Sequence, residues 1–297
     1  MKEKKLGFGC MRMPLLDPDD LTSFDYEKIE QLFDRYLEQG FTYFDVAYTY
    51  HGYHAEEAVK KALVERYPRE KFQLATKLPL RDFKDEQDLE NIFQEQLDNC
   101  GVEYFDFYLL HNMGHNVYSK CCKYHVFDFV QRMKEEGKIN EIGMSFHDTP
   151  ELLDEVLSQY GDKMDFVQLQ INYLDWEQPN IQSQKCLEIA NKYHKPVTVM
   201  EPCKGGMLSR IPEAAEKLMK EYSPEDTPSS WAAPGKTWPT QPMENGRSTT
   251  TFTPALRRWP GVKAFRTPPG CGCRLPGSRA SIITGFIPWS SSLPKAS

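Results

Sequence analysis

The regular alternation of short apolar segments with helical segments is the feature that most limits the folds open to this 297-residue chain. Apolar runs recur about every 30 residues, and a segment with helical character follows each of them, most clearly residues 26–39, where apolar residues stand at helical spacing. The predicted strands cover residues 5–11, 42–47, 72–77, 105–111, 139–145, 166–172 and 196–201. The predicted helices cover residues 26–39, 55–65, 85–99, 126–136, 148–160, 181–193 and 212–222. The alternation predicts an α/β protein whose parallel sheet is covered by helices.

Two arrangements of such a sheet compete, a closed (β/α)₈ barrel and an open doubly wound sheet. No Gly-x-Gly-x-x-Gly motif follows the first predicted strand, which disfavours the open dinucleotide-binding sheet. A unit length of about 30 residues suits a barrel. We therefore predict a (β/α)₈ TIM barrel. An eighth β/α unit is expected after Tyr222 but is not recognisable, so the barrel is predicted to be incomplete there.

The composition changes abruptly near residue 232. Residues 233–297 hold one acidic residue, nine basic residues and ten of the 21 prolines, whereas residues 1–232 hold 42 acidic and 27 basic residues. We predict a barrel over residues 1–232 and a poorly ordered Pro/Gly/Arg-rich tail over 233–297, with residues 282–287 as its strand candidate. We also hypothesise a change of reading frame near Ala232. Translation of the other two reading frames of the encoding DNA tests this hypothesis. If neither frame encodes an eighth β/α unit, the hypothesis fails.

Composition also limits the partners and the location of the protein. The net charge of −7 argues against a nucleic-acid partner. The sequence contains no run of 18 apolar residues, so no membrane span is predicted. The first residues lack the apolar region of a signal peptide, so a cytoplasmic location is expected. The eight cysteines are scattered, fit no zinc-site spacing and are predicted to be free thiols, with no metal site.

Four polar residues follow strands whose carboxyl ends would meet at one mouth of the barrel: Asp45, Tyr50, Lys77 and His111. A lysine at the end of an apolar strand needs an anionic partner, which Asp45 on the neighbouring strand supplies. An ammonium beside a phenol is expected to lower the pKa of Tyr50, which could then donate a proton to a carbonyl oxygen. His111 could orient that oxygen. Such chemistry requires a source of hydride.

Four spaced motifs contain or follow these residues: Asp45-Val-Ala-Tyr-Thr-Tyr50-His-Gly52, Lys77 after Leu-Ala-Thr, Asp106-Phe-Tyr-Leu-Leu-His111-Asn, and Gly137-Lys-Ile-Asn-Glu-Ile-Gly-Met-Ser145. Together they resemble motifs of the aldo-keto reductase superfamily, and the resemblance covers about residues 5–232. The segments Leu6–Pro14 and Met200–Gly206 look most like bacterial members, many of which carry a carboxyl-terminal iron–sulfur segment. Two thiolates, Cys271 and Cys273, are too few to hold such a cluster.

The resemblance implies hydride transfer from NADPH or NADH to a small-molecule carbonyl substrate. Tyr50 would be the general acid, Asp45 and Lys77 its tuning pair, and His111 the group that orients the carbonyl. Ser145 and Gln170 match positions that hold the nicotinamide carboxamide. Lys204 and Gly205 either approach the cofactor pyrophosphate or form an ordinary loop.

The sequence departs from the family pattern at two positions near the expected cofactor. Phe146, followed by His147, replaces the asparagine that commonly follows the serine, and Met200 replaces the aromatic residue that commonly stacks on the nicotinamide. A thioether can still pack against a ring. The preferred interpretation is an NAD(P)H-dependent reductase of aldehydes or ketones. The alternative is a catalytically impaired or regulatory barrel that acts as a binding protein.

Overall fold

Eight parallel strands form a closed barrel in chain order, each hydrogen-bonded to the next. The computed structural model of the chain describes residues 6–209, 212–222 and 281–284. Its strands are β1 (Leu6–Gly9), β2 (Tyr43–Asp45), β3 (Gln73–Pro79), β4 (Phe105–Met113), β5 (Ile139–Phe146), β6 (Phe166–Gln170), β7 (Val197–Met200) and β8 (Ser281–Thr284). The barrel closes because β8 pairs in parallel with both β7 and β1.

The helices lie between the strands as the sequence pattern predicts, with one addition. They are α1 (Tyr26–Glu38), α2 (Ala55–Val59), α3 (Glu86–Cys100), α4 (His115–Lys123), α5 (Val126–Glu135), α6 (Pro150–Tyr160), α7 (Ser183–Lys192) and α8 (Glu213–Tyr222). Helix α2 continues as one π-helical segment, Lys60–Val64. Helix α4 was not predicted, because only Val117 and Cys121 of its residues are buried and the sequence shows little apolar periodicity there.

Local sequence signals set several helix ends. The side chains of Asp25, Asp85 and Thr149 each accept a hydrogen bond from a backbone N–H in the first turn of α1, α3 and α6, respectively. Pro150 occupies the first position of α6, where a missing N–H has no cost. Gly101 ends α3 with a φ of 68°, a left-handed conformation that favours glycine. These signals define where α1, α3 and α6 begin and where α3 ends.

The strand register places two predicted site residues, Asp45 and Lys77, on neighbouring strands. Asp45 of β2 is paired with Ala75 of β3, and Lys77 lies two residues further along the same face of β3. On the next strand pair, Pro79 is paired with His111 of β4. The register therefore directs the side chains of Asp45 and Lys77 into the barrel, close to one another and below the carboxyl ends of the strands.

A close contact between β5 and β6 yields a stability prediction. A Cβ atom at Gly143 would overlap the ring of Phe166, whereas the nearest atom to a Cβ at Gly161 would be 3.8 Å away. We expect Gly143→Ala to lower the free energy of unfolding by about 1–3 kcal/mol, because the ring must shift in a packed barrel. Denaturant titration measures the change, and Gly161→Ala is the matched control. Equal stability of the two variants would contradict the overlap.

The predicted TIM barrel is confirmed, and among the described residues its eighth β/α unit is represented by a strand alone. Strand β8 overlaps the strand candidate at 282–287. The predicted boundary at residue 232 falls outside the described residues, so the division into barrel and tail stays a prediction. In the part of the chain that the structure describes, no helix has both the length and the apolar character that a membrane crossing requires.

Candidate active site

The centre of the site is a buried ion pair that also contacts a phenol. Lys77 Nζ lies 2.5 Å from Asp45 Oδ1, 2.8 Å from the carbonyl oxygen of Val46 and 3.1 Å from the Tyr50 hydroxyl. The side chains of Lys77 and Asp45 are 1% and 6% exposed. Gln168 donates to Asp45 Oδ2 over 3.1 Å. Both carboxylate oxygens and the ammonium thus have partners, as buried charges require.

The pKa values in this cluster follow from burial and from the ion pair. Burial acts to lower the pKa of Lys77, but Asp45 and Tyr50 outweigh it and raise that pKa to about 12. Burial raises the pKa of Tyr50, and the Lys77 ammonium opposes it only in part. The expectation that the lysine would give Tyr50 a lowered pKa is therefore wrong for the net shift. Desolvation of the phenolate outweighs the attraction of the ammonium, which Asp45 also partly neutralises.

His111 lies beside the phenol and is uncharged. The centroids of the His111 and Tyr50 rings are 5.8 Å apart, and the rings meet edge to face. Burial, together with the charges of Lys77 and Arg81 and the neighbouring His147, lowers the pKa of His111 to about 3. A neutral imidazole can donate a single hydrogen bond to an oxygen placed near the Tyr50 hydroxyl. The structure thus brings together Asp45, Tyr50, Lys77 and His111.

The low pKa of His111 predicts its behaviour on titration. The NMR signal of the His111 ring, assigned by its loss in His111→Gln, should not shift between pH 8 and pH 5. Since the folded pKa lies below the usual value of 6.5, protonation favours the unfolded chain, and this contribution to stability is lost as pH falls below about 6.5. A ring signal that titrates near pH 6.5 would contradict a buried, neutral His111.

Three of the predicted cofactor-binding residues lie at the carboxyl ends of consecutive strands. Ser145 Oγ, near the end of β5, accepts a hydrogen bond from the backbone N–H of Asn112 over 2.8 Å. Gln170 ends β6 and is paired in register with Met200, which ends β7. A hydroxyl, an amide and a thioether therefore adjoin the edge of the barrel where Tyr50 and His111 lie.

The other two predicted cofactor-binding residues, Lys204 and Gly205, lie in the loop after β7, and a buried carboxylate pairs with Lys204. The loop has left-handed backbone at Glu201, Lys204 and Gly205. Lys204 forms an ion pair with Asp175, whose side chain is 1% exposed. Asp175 also accepts a hydrogen bond of 2.7 Å from the side-chain amide of Gln170. Lys204 and Gln170 thus converge on one carboxylate, an arrangement that the sequence did not predict.

A second partnership holds the same loop against the first strand. Arg12, in the turn after β1, forms an ion pair of 3.1 Å with Glu201. A Cβ atom at Gly205 would lie 3.2 Å from the Arg12 guanidinium, so this position leaves little room for a side chain. The pairing of Arg12 with Glu201 therefore holds the loop that contains Lys204 against the turn after β1.

Sequence reasoning missed the roles of Gln168 and His147. Gln168 contacts Asp45 across the barrel interior from β6, a contact that depends on barrel closure. Burial lowers the pKa of His147, with Gln170 and Glu201 acting in the opposite direction and Lys77 in the same one. His147 is therefore a second neutral histidine near the site. Its signal in the sequence was its position directly after β5, where the family pattern is broken.

Comparison with known proteins identifies the family of this chain. A family model described as the aldo/keto reductase family matches residues 5–252. The chain belongs to this family. The match extends 20 residues beyond the point where the sequence motifs stop, at about residue 232. The barrel described above is therefore the barrel of a member of this family.

The individual proteins to which the chain is similar share 30% or less of its sequence. A probable aldo-keto reductase from Glycine max is 30% identical over 155 residues, which cover 48% of this chain and 41% of the relative. The chain thus spans about two fifths of the length of the curated relative that it matches. An aldo-keto reductase from Bacillus halodurans, solved in its holo form, has a TM-score of 0.58 at 23% identity over 77% of this chain and 76% of that one.

Another similar structure is an aldo-keto reductase from Klebsiella pneumoniae in complex with NADPH. Its TM-score is 0.55 at 19% identity, over 76% of this chain and 74% of that one. A thermostable aldo-keto reductase solved with the inhibitor epalrestat has a TM-score of 0.59 at 21% identity, over 76% and 77% of the two chains. The TM-scores show a shared fold, and because the identities are below 25% the similarity is evidence for the fold alone.

Proposed function

We propose that this chain is an NAD(P)H-dependent oxidoreductase that reduces an aldehyde or ketone to an alcohol, with Tyr50 as the general acid. The observation that carries the proposal is the contact of one buried ammonium, Lys77, with both a carboxylate and the Tyr50 phenol. A structural ion pair would need only Asp45. The additional phenol at 3.1 Å, with His111 beside it, favours a site for proton transfer.

The four residues would divide the work in the following way. Tyr50 is protonated at neutral pH because its pKa is raised by burial, so it can donate its proton to the carbonyl oxygen. Lys77 then stabilises the phenolate by charge and by a hydrogen bond, and Asp45 holds Lys77 in place. Neutral His111 donates a hydrogen bond to the same oxygen and orients it.

The cofactor would be held beside this cluster. A bound nicotinamide supplies the hydride. The hydroxyl of Ser145 and the amide of Gln170 suit the carboxamide of that ring, and the Met200 thioether suits its flat face. Chains with similar folds that have been solved with NADPH or with NADP and acetate support the choice of cofactor.

The direct test is consumption of NADPH or NADH, followed by absorbance, with a panel of small aldehydes and ketones. Reduction of at least one carbonyl to its alcohol, identified by chromatography, is the expected result. Boiled protein and the cofactor without substrate are the controls. If the cofactor binds but no carbonyl in the panel is reduced, the enzyme proposal fails for this chain.

A second candidate is a catalytically impaired or regulatory barrel that binds nucleotide weakly. The observation that favours it is the engagement of Lys204 and Gln170, two predicted cofactor-binding residues, by the carboxylate of Asp175. A cofactor would have to compete with that carboxylate. Titration of NADPH with protein fluorescence as the readout separates the candidates: the enzyme proposal expects saturable quenching, and its absence at millimolar cofactor favours the impaired barrel.

A further inference from the structure

A buried glutamate lies behind the site, on the outer side of the barrel wall. Glu56, in α2, is 1% exposed. Its Oε1 accepts hydrogen bonds from Thr76 Oγ1 (2.6 Å) and Gln96 Nε2 (2.9 Å), and its Oε2 accepts one from Asn99 Nδ2 (3.4 Å). None of the proton-transfer steps proposed above uses this carboxylate, although burying it is costly.

The hydrogen-bond network around Glu56 contacts β3, the strand that contains Lys77. Thr76 and Lys77 are consecutive in β3, so they point to opposite faces of the barrel wall. Gln96 Nε2 lies 3.0 Å from the carbonyl oxygen of Lys77 and 3.2 Å from Thr76 Oγ1. The Tyr108 hydroxyl donates to Gln96 Oε1 over 2.6 Å and fixes the orientation of that amide. The outer face of β3 is therefore held at the residue that supplies the ammonium.

The same glutamate is tied to the loop that presents the phenol. The carbonyl oxygen of Tyr50 accepts hydrogen bonds from the backbone N–H groups of Tyr53 (3.1 Å) and Ala55 (3.3 Å). Ala55 begins α2, and Glu56 follows it directly. A short, hydrogen-bonded turn therefore separates Tyr50 from a side chain that is anchored on β3. Glu56 joins the two elements whose side chains meet at the Tyr50–Lys77 contact.

We propose that Glu56, acting with Gln96, is a positioning residue that sets the separation between the Tyr50 hydroxyl and Lys77 Nζ. This inference rests on the proposed reductase function. Glu56 itself does not contact the reacting atoms. It holds α2, and with it the turn after Tyr50, at a fixed distance from β3, so that the phenol and the ammonium remain within hydrogen-bond distance.

The charge of the network supports a dependence on pH. Burial raises the pKa of Glu56 to about 7, against the opposing hydrogen bonds from Thr76, Gln96 and Asn99. The titratable groups that interact with Glu56 are Glu95 and Cys100 of α3, Tyr108 of β4, and Tyr48. Burial raises the pKa of Cys100, Tyr108 and Tyr48, so these three are neutral where Glu56 titrates. The ionised carboxylate accepts all three hydrogen bonds, whereas the protonated form gives up an acceptor.

Three variants test the proposal: Glu56→Gln, Glu56→Leu, and Glu57→Gln as a control on the exposed side of the same helix. Glu56→Gln keeps the shape of the protonated acid. We expect it to turn over a carbonyl substrate with a kcat about threefold below wild type at pH 8 and equal to wild type at pH 5.5. Glu56→Leu should lose at least about tenfold in kcat, with the Kd of NADPH changed by less than about twofold. Glu57→Gln should behave as wild type.

Two readouts do not depend on turnover. In the crystal structure of Glu56→Leu the Tyr50–Lys77 distance should exceed about 3.5 Å. The thermal midpoint of wild type, measured relative to that of Glu56→Gln, should fall as pH rises from 4.5 to about 7, because folded wild type holds the Glu56 proton more tightly than the unfolded chain does. The opposing contribution of His111 is present in both proteins and cancels in the difference. These readouts stand even if no carbonyl is reduced, an outcome that would count against the proposed function alone.

The proposal is overturned by a folded Glu56→Leu that keeps both wild-type kcat and the 3.1 Å contact. It is also overturned if the pH profile of kcat is the same in wild type and Glu56→Gln. If Glu56→Leu does not fold, Thr76→Val takes its place, because it removes a single hydroxyl. A loss of at least about threefold in kcat with unchanged KM then supports the proposal, and an unchanged kcat overturns it.

Discussion

Tyr50→Phe is expected to abolish carbonyl reduction, with a fall in kcat of about 10²–10⁴-fold. The variant keeps the ring that meets His111 edge to face, and it removes only the hydroxyl that lies 3.1 Å from Lys77 Nζ. The proton source is lost, while Ser145 and Gln170 are unchanged. The Kd of NADPH, measured by fluorescence titration, should therefore stay within about twofold of wild type.

The matched control for this variant is Tyr53→Phe. Tyr53 lies in the same turn, but it is exposed, and its hydroxyl donates to Asp82 over 3.3 Å. Its loss should change kcat by less than about threefold. Single-turnover absorbance measurements with bound cofactor would show whether the chemical step is affected. Wild-type turnover by Tyr50→Phe would refute the general-acid role, and an equal loss in both variants would indicate a general disturbance of the turn.

The fold was largely predictable because each strand and helix leaves a local signal in the sequence. The seven predicted strands overlap β1–β7, and the barrel follows from their regular alternation with helices. Helix α4 escaped prediction because its two buried residues, Val117 and Cys121, give too short an apolar pattern. Closure of the barrel by β8 depends on long-range pairing with β1 and β7. The sequence around β8 has no helical periodicity from which an eighth β/α unit could have been predicted.

The grouping of Asp45, Tyr50, Lys77 and His111 was predictable from strand position, whereas their roles in proton transfer stay a prediction. Asp45, Lys77 and His111 lie at strand ends, and parallel strands bring those ends to one edge. The net pKa of Tyr50 was not predictable, since the opposing effects of burial and of the ammonium depend on the depth of the phenol in the barrel. Residue types indicate which charges are present, but the burial of those charges depends on the folded structure.

Contacts between loops were out of reach for a different reason. The carboxylate of Asp175 lies in the segment between β6 and α7, and Lys204 lies after β7. No periodic pattern relates these segments, because loops follow the folded scaffold and not a repeat of their own. The pairing of Lys204 with Asp175 therefore emerges only once the strand ends are placed in space.

Glu56, in contrast, did leave a signal that was overlooked. It is followed at helical spacing by Val59 and Leu63, both fully buried. The residues i, i+3 and i+7 share one face of a helix, so Glu56 continues the apolar stripe of α2. A carboxylate on an apolar stripe predicts a buried, hydrogen-bonded acid. Residues 55–65 were predicted as a helix without attention to which of its residues would be buried.

The largest expected effect on stability comes from Lys77→Met, which leaves the Asp45 carboxylate buried with no cation. Removal of one partner of a buried ion pair typically lowers the free energy of unfolding by about 3–5 kcal/mol. The contact of Lys77 with the Val46 carbonyl oxygen is lost as well. Activity should fall by at least about 10²-fold, since the phenolate of Tyr50 loses its stabilising charge. Urea titration and NADPH consumption measure the two effects.

The double variant Asp45→Asn, Lys77→Met separates stability from activity. It removes both charges, and the introduced side-chain amide oxygen can still accept the hydrogen bond that Gln168 donates to Asp45 in wild type. We therefore expect it to recover most of the stability lost by Lys77→Met but none of the turnover. The exposed pair Lys192–Asp154 is the control, and Lys192→Met should cost less than about 1 kcal/mol. If the double variant were no more stable than Lys77→Met, the unpaired carboxylate would not be the cause of the loss; if it recovered turnover, Lys77 would have no part in the proton transfer.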